Sequence, residues 1–220
     1  PMRTLIFFLL LLIAGISGWN YYEENQPEAL YTRAREAQRV GDLATAQLTY
    51  EKLLRKEPDN RRALNNLGAV FIELKQPVKA CPLFAKAADA ALRDGLPPED
   101  MGTVDNAGRC YFHDMPTRDG EKARPYLEAL ASRGDVVSLY DLAIYVSEQQ
   151  MNNSAWRSLL LMKMVQKLGA DKPEHRKLFQ ETQLEQRIAE RERVLSTEER
   201  RKLNEKISRS SPEEIVKSAL

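Results

Sequence analysis

Four side chains of this 220-residue chain are of types that carry acid–base, redox or metal chemistry, namely two histidines and two cysteines. His113 stands beside Asp114, and such a pair can act as a base, but no motif places a nucleophile with it. We therefore expect His113 to be a surface residue before a loop and His175, in a charged stretch, to be solvated. The spacings CxxC and HExxH are absent, and no nucleophile elbow or phosphate loop occurs. The sequence predicts no enzyme, no cofactor and no metal site.

The overall charge of the chain is nearly balanced. Lysine and arginine number 33, and aspartate and glutamate number 32. A general nucleic-acid-binding protein needs a basic excess or a basic stripe. We therefore expect no nucleic-acid partner. Because no catalytic motif occurs, we expect no small-molecule substrate either.

A period of 34 residues organises the stretch from Pro27 to Ala91. Residues of matching size recur at this distance: Leu30 and Leu64, Ala34 and Gly68, Ala46 and Ala80, Tyr50 and Phe84. The small residues suit places where two antiparallel helices cross closely, and the large ones fill the gaps between helices. Gly41 and the pair Gln76-Pro77 are predicted to break the helices, because glycine tolerates positive φ and proline cannot continue a helix. A fixed period of this length predicts stacked helical units.

This pattern resembles the tetratricopeptide repeat, with two copies in residues 27–92. Residues 101–170 hold two more hairpins in a drifted form, which resemble the related Sel1-type repeat with its longer hairpin loop. Asn153-Ser154 is predicted to cap the last helix of this stretch, and Gly169 is predicted to end it. The resemblance implies an all-α fold, a right-handed α-solenoid of about four helical hairpins stabilised by stacking between neighbours.

The segment 173–220 is rich in charged residues and glutamine. Ser196 and Glu199 form an N-cap signal, which predicts two helices broken near Ser196. Ser211-Pro212 then starts a last short helix or a frayed tail. We interpret the segment as the polar cap that closes a solenoid. The alternative is a partner-binding or coiled-coil helix, although no sustained heptad is visible.

Residues 1–24 contain an apolar run after Arg3. From Leu5 to Ile16 the run has 12 residues, the length of a signal-peptide core, and extended to Tyr22 it has 18, just enough for a short transmembrane helix. We predict a retained single-pass anchor with its N-terminus inside; the alternative is a cleaved signal and a soluble periplasmic protein. The residues assigned to the anchor are Leu5, Phe8, Leu12, Ile16, Trp19 and Tyr22.

The repeat template places Cys81 and Cys110 at normally buried positions where neighbouring units meet. If the chain is exported, its compartment is oxidising and a Cys81–Cys110 disulfide can form. The alternative is two buried thiols that act as small apolar side chains.

The resemblance also implies a concave groove lined by the first helix of each hairpin. The positions expected to face it are Tyr31, Arg35, Arg62, Asn65, Asn66, Asn106, Arg109 and Phe112. The arginines offer bidentate donors for a carboxylate, although they are not arranged as in the repeats that clamp one. Asn66 and Asn106 occupy the position at which some family members hold the backbone of an extended peptide.

These features predict a membrane-anchored scaffold or adaptor that binds another protein through the groove. We expect it in a bacterial envelope assembly, anchored in the cytoplasmic membrane with its repeats in the periplasm. The alternative is an exported inhibitor or immunity-type protein that caps a toxic enzyme. Glycan binding would need a groove richer in aromatic residues than Tyr31 and Phe112 make it.

Overall fold

The computed structural model describes residues 6–7, 12–13, 15, 19, 21–113, 116–149 and 153–220. These residues form helices and turns, and no β-strand occurs among them. The chain divides into two compact units, residues 1–87 (the first unit) and 88–220 (the second unit). The prediction of an all-α repeat fold is confirmed.

The repeat region of the first unit begins with antiparallel helices joined by short turns. Its helices are α1 (Pro27–Arg39), α2 (Leu43–Lys56), α3 (Arg61–Glu73) and α4 (Pro77–Arg93), the last of which continues into the second unit. Gly41 makes the first turn at a φ of +81°. Asp42 and Asn60 then cap α2 and α3 by accepting hydrogen bonds from the Thr45 and Ala63 amides, at 3.1 and 3.0 Å. The predicted breaks at Gly41 and Gln76-Pro77 are confirmed.

The core of the first unit follows the predicted alternation of small and large residues. Ala34, Ala46 and Ala80 are fully buried, as is the ring of Tyr50. Gly68 lies against Phe84, and a Cβ at position 68 would be only 2.7 Å from the ring atom Cε1. The first unit therefore depends on the missing side chain at position 68 for close approach of its second hairpin.

Four helices in the second unit form two further hairpins. They are α5 (Met101–Phe112), α6 (Gly120–Ser132), α7 (Val136–Glu148) and α8 (Ser154–Gly169). Each packs against the next along the chain. Asp119 and Asp135 cap α6 and α7. The helix α8 ends at Gly169 as predicted, but Asn153 takes a left-handed conformation, with a φ of 66°, in which its side chain makes no capping hydrogen bond.

The C-terminal segment contains more helices than its sequence pattern predicts. They are α9 (Arg176–Thr182), α10 (Leu184–Glu192), α11 (Thr197–Arg209) and α12 (Pro212–Ala219). The predicted cap at Ser196 is confirmed as a full capping box with Glu199, and a second box at Ser211 starts α12. The additional break falls at Gln183, which is left-handed with a φ of 49°. The last segment is a helix and not a frayed tail.

These C-terminal helices cover the last hairpin. The helices α10, α11 and α12 all contact α8, and α12 also contacts α6. The side chains that they bury in the core of the second unit are Leu184, Ile188, Leu203, Ile207, Ile215, Val216 and Ala219. Lys167 on α8 adds hydrogen bonds to this contact, since its ammonium donates to the carbonyls of Ile207, Ser208 and Ser210 at 2.7–3.3 Å. A cation at the carbonyl end of a helix is favourable. The segment is thus packed as a cap on α8.

Three residues of the predicted membrane anchor are described. Leu12, Trp19 and Tyr22 are helical and exposed. Leu5, Phe8 and Ile16 lie outside the described residues. Within the part of the chain that the structure describes, no helix combines the length and the apolar character needed to cross a membrane.

Candidate functional site

The first unit contains a pocket between α1 and α3, here called the arginine pocket. Its volume is about 350 Å³. Helix α1 supplies most of the lining, and α3 supplies one arginine; the residues are Glu28, Tyr31, Thr32, Arg35, Glu36, Arg39 and Arg62. The pocket brings together three of the predicted groove residues, Tyr31, Arg35 and Arg62.

The wall of the arginine pocket is fixed by a pair of tyrosines and one amide. The rings of Tyr31 and Tyr50 meet edge to face, with 6.2 Å between centroids. The side-chain amide of Asn66 donates to both hydroxyls, at 3.1 Å each. Burial raises the pKa of Tyr50, and the hydrogen bond from Asn66 opposes that rise. The Tyr50 hydroxyl therefore keeps its own proton at neutral pH.

This arrangement changes what Asn66 can do for a peptide. Both of its amide protons are used by Tyr31 and Tyr50, so only its carbonyl oxygen is left to accept a hydrogen bond. The amide of Asn65 lies 3.4 Å from that oxygen, at the long end of the hydrogen-bond range. A peptide amide can compete for this acceptor, whereas a peptide carbonyl finds no donor on Asn66.

Charge in the arginine pocket is only partly compensated. Arg62 stacks on Tyr31, 4.4 Å from the ring centroid, and pairs with Glu28 at 2.8 Å. Arg39 pairs with Glu36 at 2.6 Å. Arg35 is exposed and makes no hydrogen bond or ion pair with the described residues. Exposed ion pairs contribute little, about 0–1 kcal/mol each, so a ligand carboxylate can exchange with them and can pair with Arg35 directly.

The second unit places the other predicted groove residues on α5. Asn106 is partly buried, and Arg109 is exposed, with its guanidinium 3.8 Å from the carboxylate of Asp105. Burial raises the pKa of Asp105, and Arg109 opposes this rise. Phe112 is only 4% exposed and packs in the core, with Arg118 over its ring. The assignment of Phe112 to an open groove is therefore wrong, because the last turn of α5 directs its ring inward.

His113 has a partner that the sequence analysis missed. Its Nε2 lies 2.7 Å from the Oδ2 of Asp141, a buried carboxylate on α7. The signal was present in the sequence, since Asp141 is the one charged residue within the largely apolar run Val136–Val146. The pair joins two neighbouring first helices of the second unit, and no nucleophilic side chain accompanies it among the contacts described. We interpret the pair as a structural contact, with Asp141 close enough to Asp105 on α5 to act on its charge.

The two cysteines lie at buried positions, as the repeat template predicts. Neither Cys81 nor Cys110 is a free thiol in the structure. The Cys81–Cys110 disulfide stays a prediction, which counting of thiols in the unreduced, denatured protein tests.

Comparison with known proteins identifies the repeats. Residues 31–99 match the family model of the tetratricopeptide repeat. No curated protein matches the sequence. Among solved structures, the crystal structure of MamA protein is similar, with a TM-score of 0.53 at 14% sequence identity over 79% of this chain and 98% of that one. At this identity the likeness concerns the fold alone.

These findings support the prediction that the protein binds another protein. The individual groove residues stay predictions. The chain thus has an all-α repeat fold, and its residues 31–99 are identified as tetratricopeptide repeats.

Proposed function

We propose that this protein is a membrane-anchored scaffold or adaptor of a bacterial envelope assembly, which binds another protein through the exposed faces of α1, α3 and α5. The observation that carries the proposal is the arginine pocket of the first unit. It combines a buried aromatic wall with an exposed arginine that has no partner among the described residues. Such a site recognises a chemical group on a partner.

The chemistry of the pocket indicates the kind of segment that it binds. Arg35 offers a guanidinium fork to a carboxylate, and the Tyr31 hydroxyl offers a donor beside it. The carbonyl oxygen of Asn66 accepts a backbone amide of the same segment. An extended stretch of a partner with an acidic side chain meets all three groups.

Reversal of charge at one arginine in each unit is expected to remove the partner. In a pull-down from detergent-solubilised membranes, Arg35→Glu combined with Arg109→Glu should lose partners that the unchanged chain retains, because each substitution repels a carboxylate where the original residue attracts it. The control for the α1 substitution is Arg33→Glu, which makes the same single charge reversal as Arg35→Glu on α1 but outside the arginine pocket. The measurement is the set of proteins identified by mass spectrometry, with thermal unfolding of each variant recorded to verify the fold.

Three outcomes of that comparison separate the proposals. Several envelope proteins lost with the double variant and kept with Arg33→Glu support the scaffold. A single stoichiometric partner with hydrolase activity supports the exported inhibitor in its place. Retention of every partner by the double variant contradicts the assignment of Arg35 and Arg109 to partner binding.

The anchor has its own expected result. The chain should stay with the membrane pellet after alkaline carbonate extraction, and a chain lacking residues 1–24 should appear in the supernatant. The reason is that the run Leu5–Tyr22 has just the length that a short membrane helix requires. The mass of the extracted protein provides the control, since loss of about 20 residues would identify a cleaved signal and contradict the retained anchor.

A further inference from the structure

The second unit contains an apolar pocket away from the α5 face, here called the Trp156 pocket. It lies between the start of α8 and the turn that joins α10 to α11, and its volume is about 480 Å³. The residues that line it are Asn153, Ala155, Trp156, Leu159, Arg191, Val194, Leu195, Glu199 and Lys202. This volume is within the range of pockets that bind ligands and is enough for one or two large side chains.

The floor of the Trp156 pocket is apolar and incompletely covered. Leu159 is buried at its base, and Trp156 and Leu195 are partly buried around it. Val194 is 86% exposed at the edge, the highest exposure among the exposed large apolar residues described. The pocket therefore offers apolar surface that gains free energy when a partner covers it.

The rim of the pocket carries positive charge that is weakly compensated. The guanidinium of Arg191 makes one long hydrogen bond, 3.5 Å, to the Arg187 carbonyl on its own helix and no ion pair with the described residues. Lys202 is exposed and lies 3.6 Å from a carboxylate oxygen of Glu198. By contrast, Arg201 on the same helix lies 2.7 Å from both Glu198 and Glu205.

The one carboxylate in the lining is already occupied. Glu199 accepts hydrogen bonds from the Ser196 amide and hydroxyl at 2.8 and 2.7 Å, as part of the capping box of α11. These bonds lower the pKa of Glu199. The Glu199 carboxylate is therefore engaged in capping α11 and only partly balances the charges of Arg191 and Lys202.

The start of α8 adds a further positive contribution at the rim. Helix starts leave backbone amides without intrahelical partners and carry partial positive charge. Asn153 stands at this position, but its left-handed conformation keeps its side chain from capping these amides. Among the described residues, the side chain of Asn153 does not cap the first turn of α8, whose backbone amides can donate to a ligand.

We propose that the Trp156 pocket binds a peptide segment of a partner protein that carries one or two large apolar side chains next to a carboxylate. The apolar chains cover Trp156, Leu159 and Val194, and the carboxylate pairs with Arg191 at the rim. This pocket shares no lining residue with the arginine pocket and adds a second docking point to the protein.

Selection of peptides on the intact protein tests the proposal. A phage-displayed library of random peptides of about 12 residues is selected on the full chain held in detergent, and the enriched sequences are synthesised. Trp19→Phe leaves Trp156 as the single tryptophan, so its fluorescence reports binding at the pocket directly. We expect an enriched pattern of large apolar residues beside Asp or Glu, and a change in Trp156 emission on binding.

Matched variants locate the binding site. Val194→Asp and Arg191→Glu should each raise the dissociation constant of the enriched peptide by about tenfold or more. Arg193→Glu makes the same charge reversal, and Leu48→Asp makes a comparable change from an apolar residue to a carboxylate, both at exposed positions outside the pocket. Both should leave the affinity within about twofold. Arg35→Glu should also leave the affinity for this peptide unchanged. Binding at the Trp156 pocket can therefore be tested independently of the proposed binding at the arginine pocket.

Several results would overturn the proposal. They are the absence of enriched peptides, a basic or purely polar pattern, and affinity that does not respond to Val194→Asp. Concentration-dependent dimerisation in sedimentation that Val194→Asp abolishes would also do so, since a second copy would then occupy the pocket.

Discussion

Replacement of Gly68 by leucine is expected to lower the stability of the first unit by about 3 kcal/mol or more. Even a Cβ at this position would be 2.7 Å from Phe84, well inside the contact distance of two carbon atoms. The ring has no room to retreat, because Phe84 is buried in the same core. Thermal unfolding should show a fall in Tm of roughly 6–12 °C, given about 2–4 °C per kcal/mol for a chain of this size.

Two companion variants make the Gly68 result specific. Gly102→Ala replaces a helical glycine whose Cβ would meet nothing within 4 Å, so it should be neutral or raise stability by up to about 1 kcal/mol. Phe84→Leu makes space, and in combination with Gly68→Leu it should recover part of the loss. An unchanged Tm for Gly68→Leu would contradict the repeat register assigned to α3 and α4.

Deletion of residues 173–220 is expected to abolish stable folding of the second unit. The deletion removes six large buried apolar side chains, from Leu184 to Val216, together with Ala219. At about 1.5–3 kcal/mol for each large side chain, the lost burial is roughly 10 kcal/mol or more, comparable to the whole stability of a typical domain. Size-exclusion chromatography should show aggregated protein, because the apolar surface of α8 is then uncovered.

Point variants in the same segment provide the control for that deletion. Leu203→Ala removes a fully buried side chain and should cost about 2–5 kcal/mol. Val194→Ala changes an exposed side chain and should cost less than about 0.5 kcal/mol. A shortened chain that remains monomeric with an unaltered Tm would support the alternative, in which these helices are reserved for a partner.

The repeat region could be predicted from sequence because its information is local and duplicated. The 34-residue period fixed which small residues face which large ones, and Gly41 and Pro77 marked the turns through backbone restrictions that any sequence obeys. Capping at Ser196 was readable for the same reason, since Ser196 and Glu199 are close in sequence and satisfy each other's backbone amides.

Other features depended on contacts that no local pattern encodes. The break at Gln183 uses a left-handed residue that is neither glycine nor asparagine, so nothing in its type marked it. The burial of Phe112 and the pairing of His113 with Asp141 depend on how α5 packs against α6 and α7. The Trp156 pocket required α8 to meet a turn nearly 40 residues later in the chain, although Val194 and Leu195 stood out as apolar residues in a charged segment.

The contact of α12 with α6 and α8 has a consequence for how the protein is made. The contacts among α1, α2 and α3 join neighbours in the chain, so they can form as soon as each hairpin has left the ribosome. The helix α12, by contrast, covers a surface on α6 that was synthesised about 80 residues earlier. That surface stays open to solvent, and to chaperones that bind exposed apolar segments, until residues 212–219 have been added.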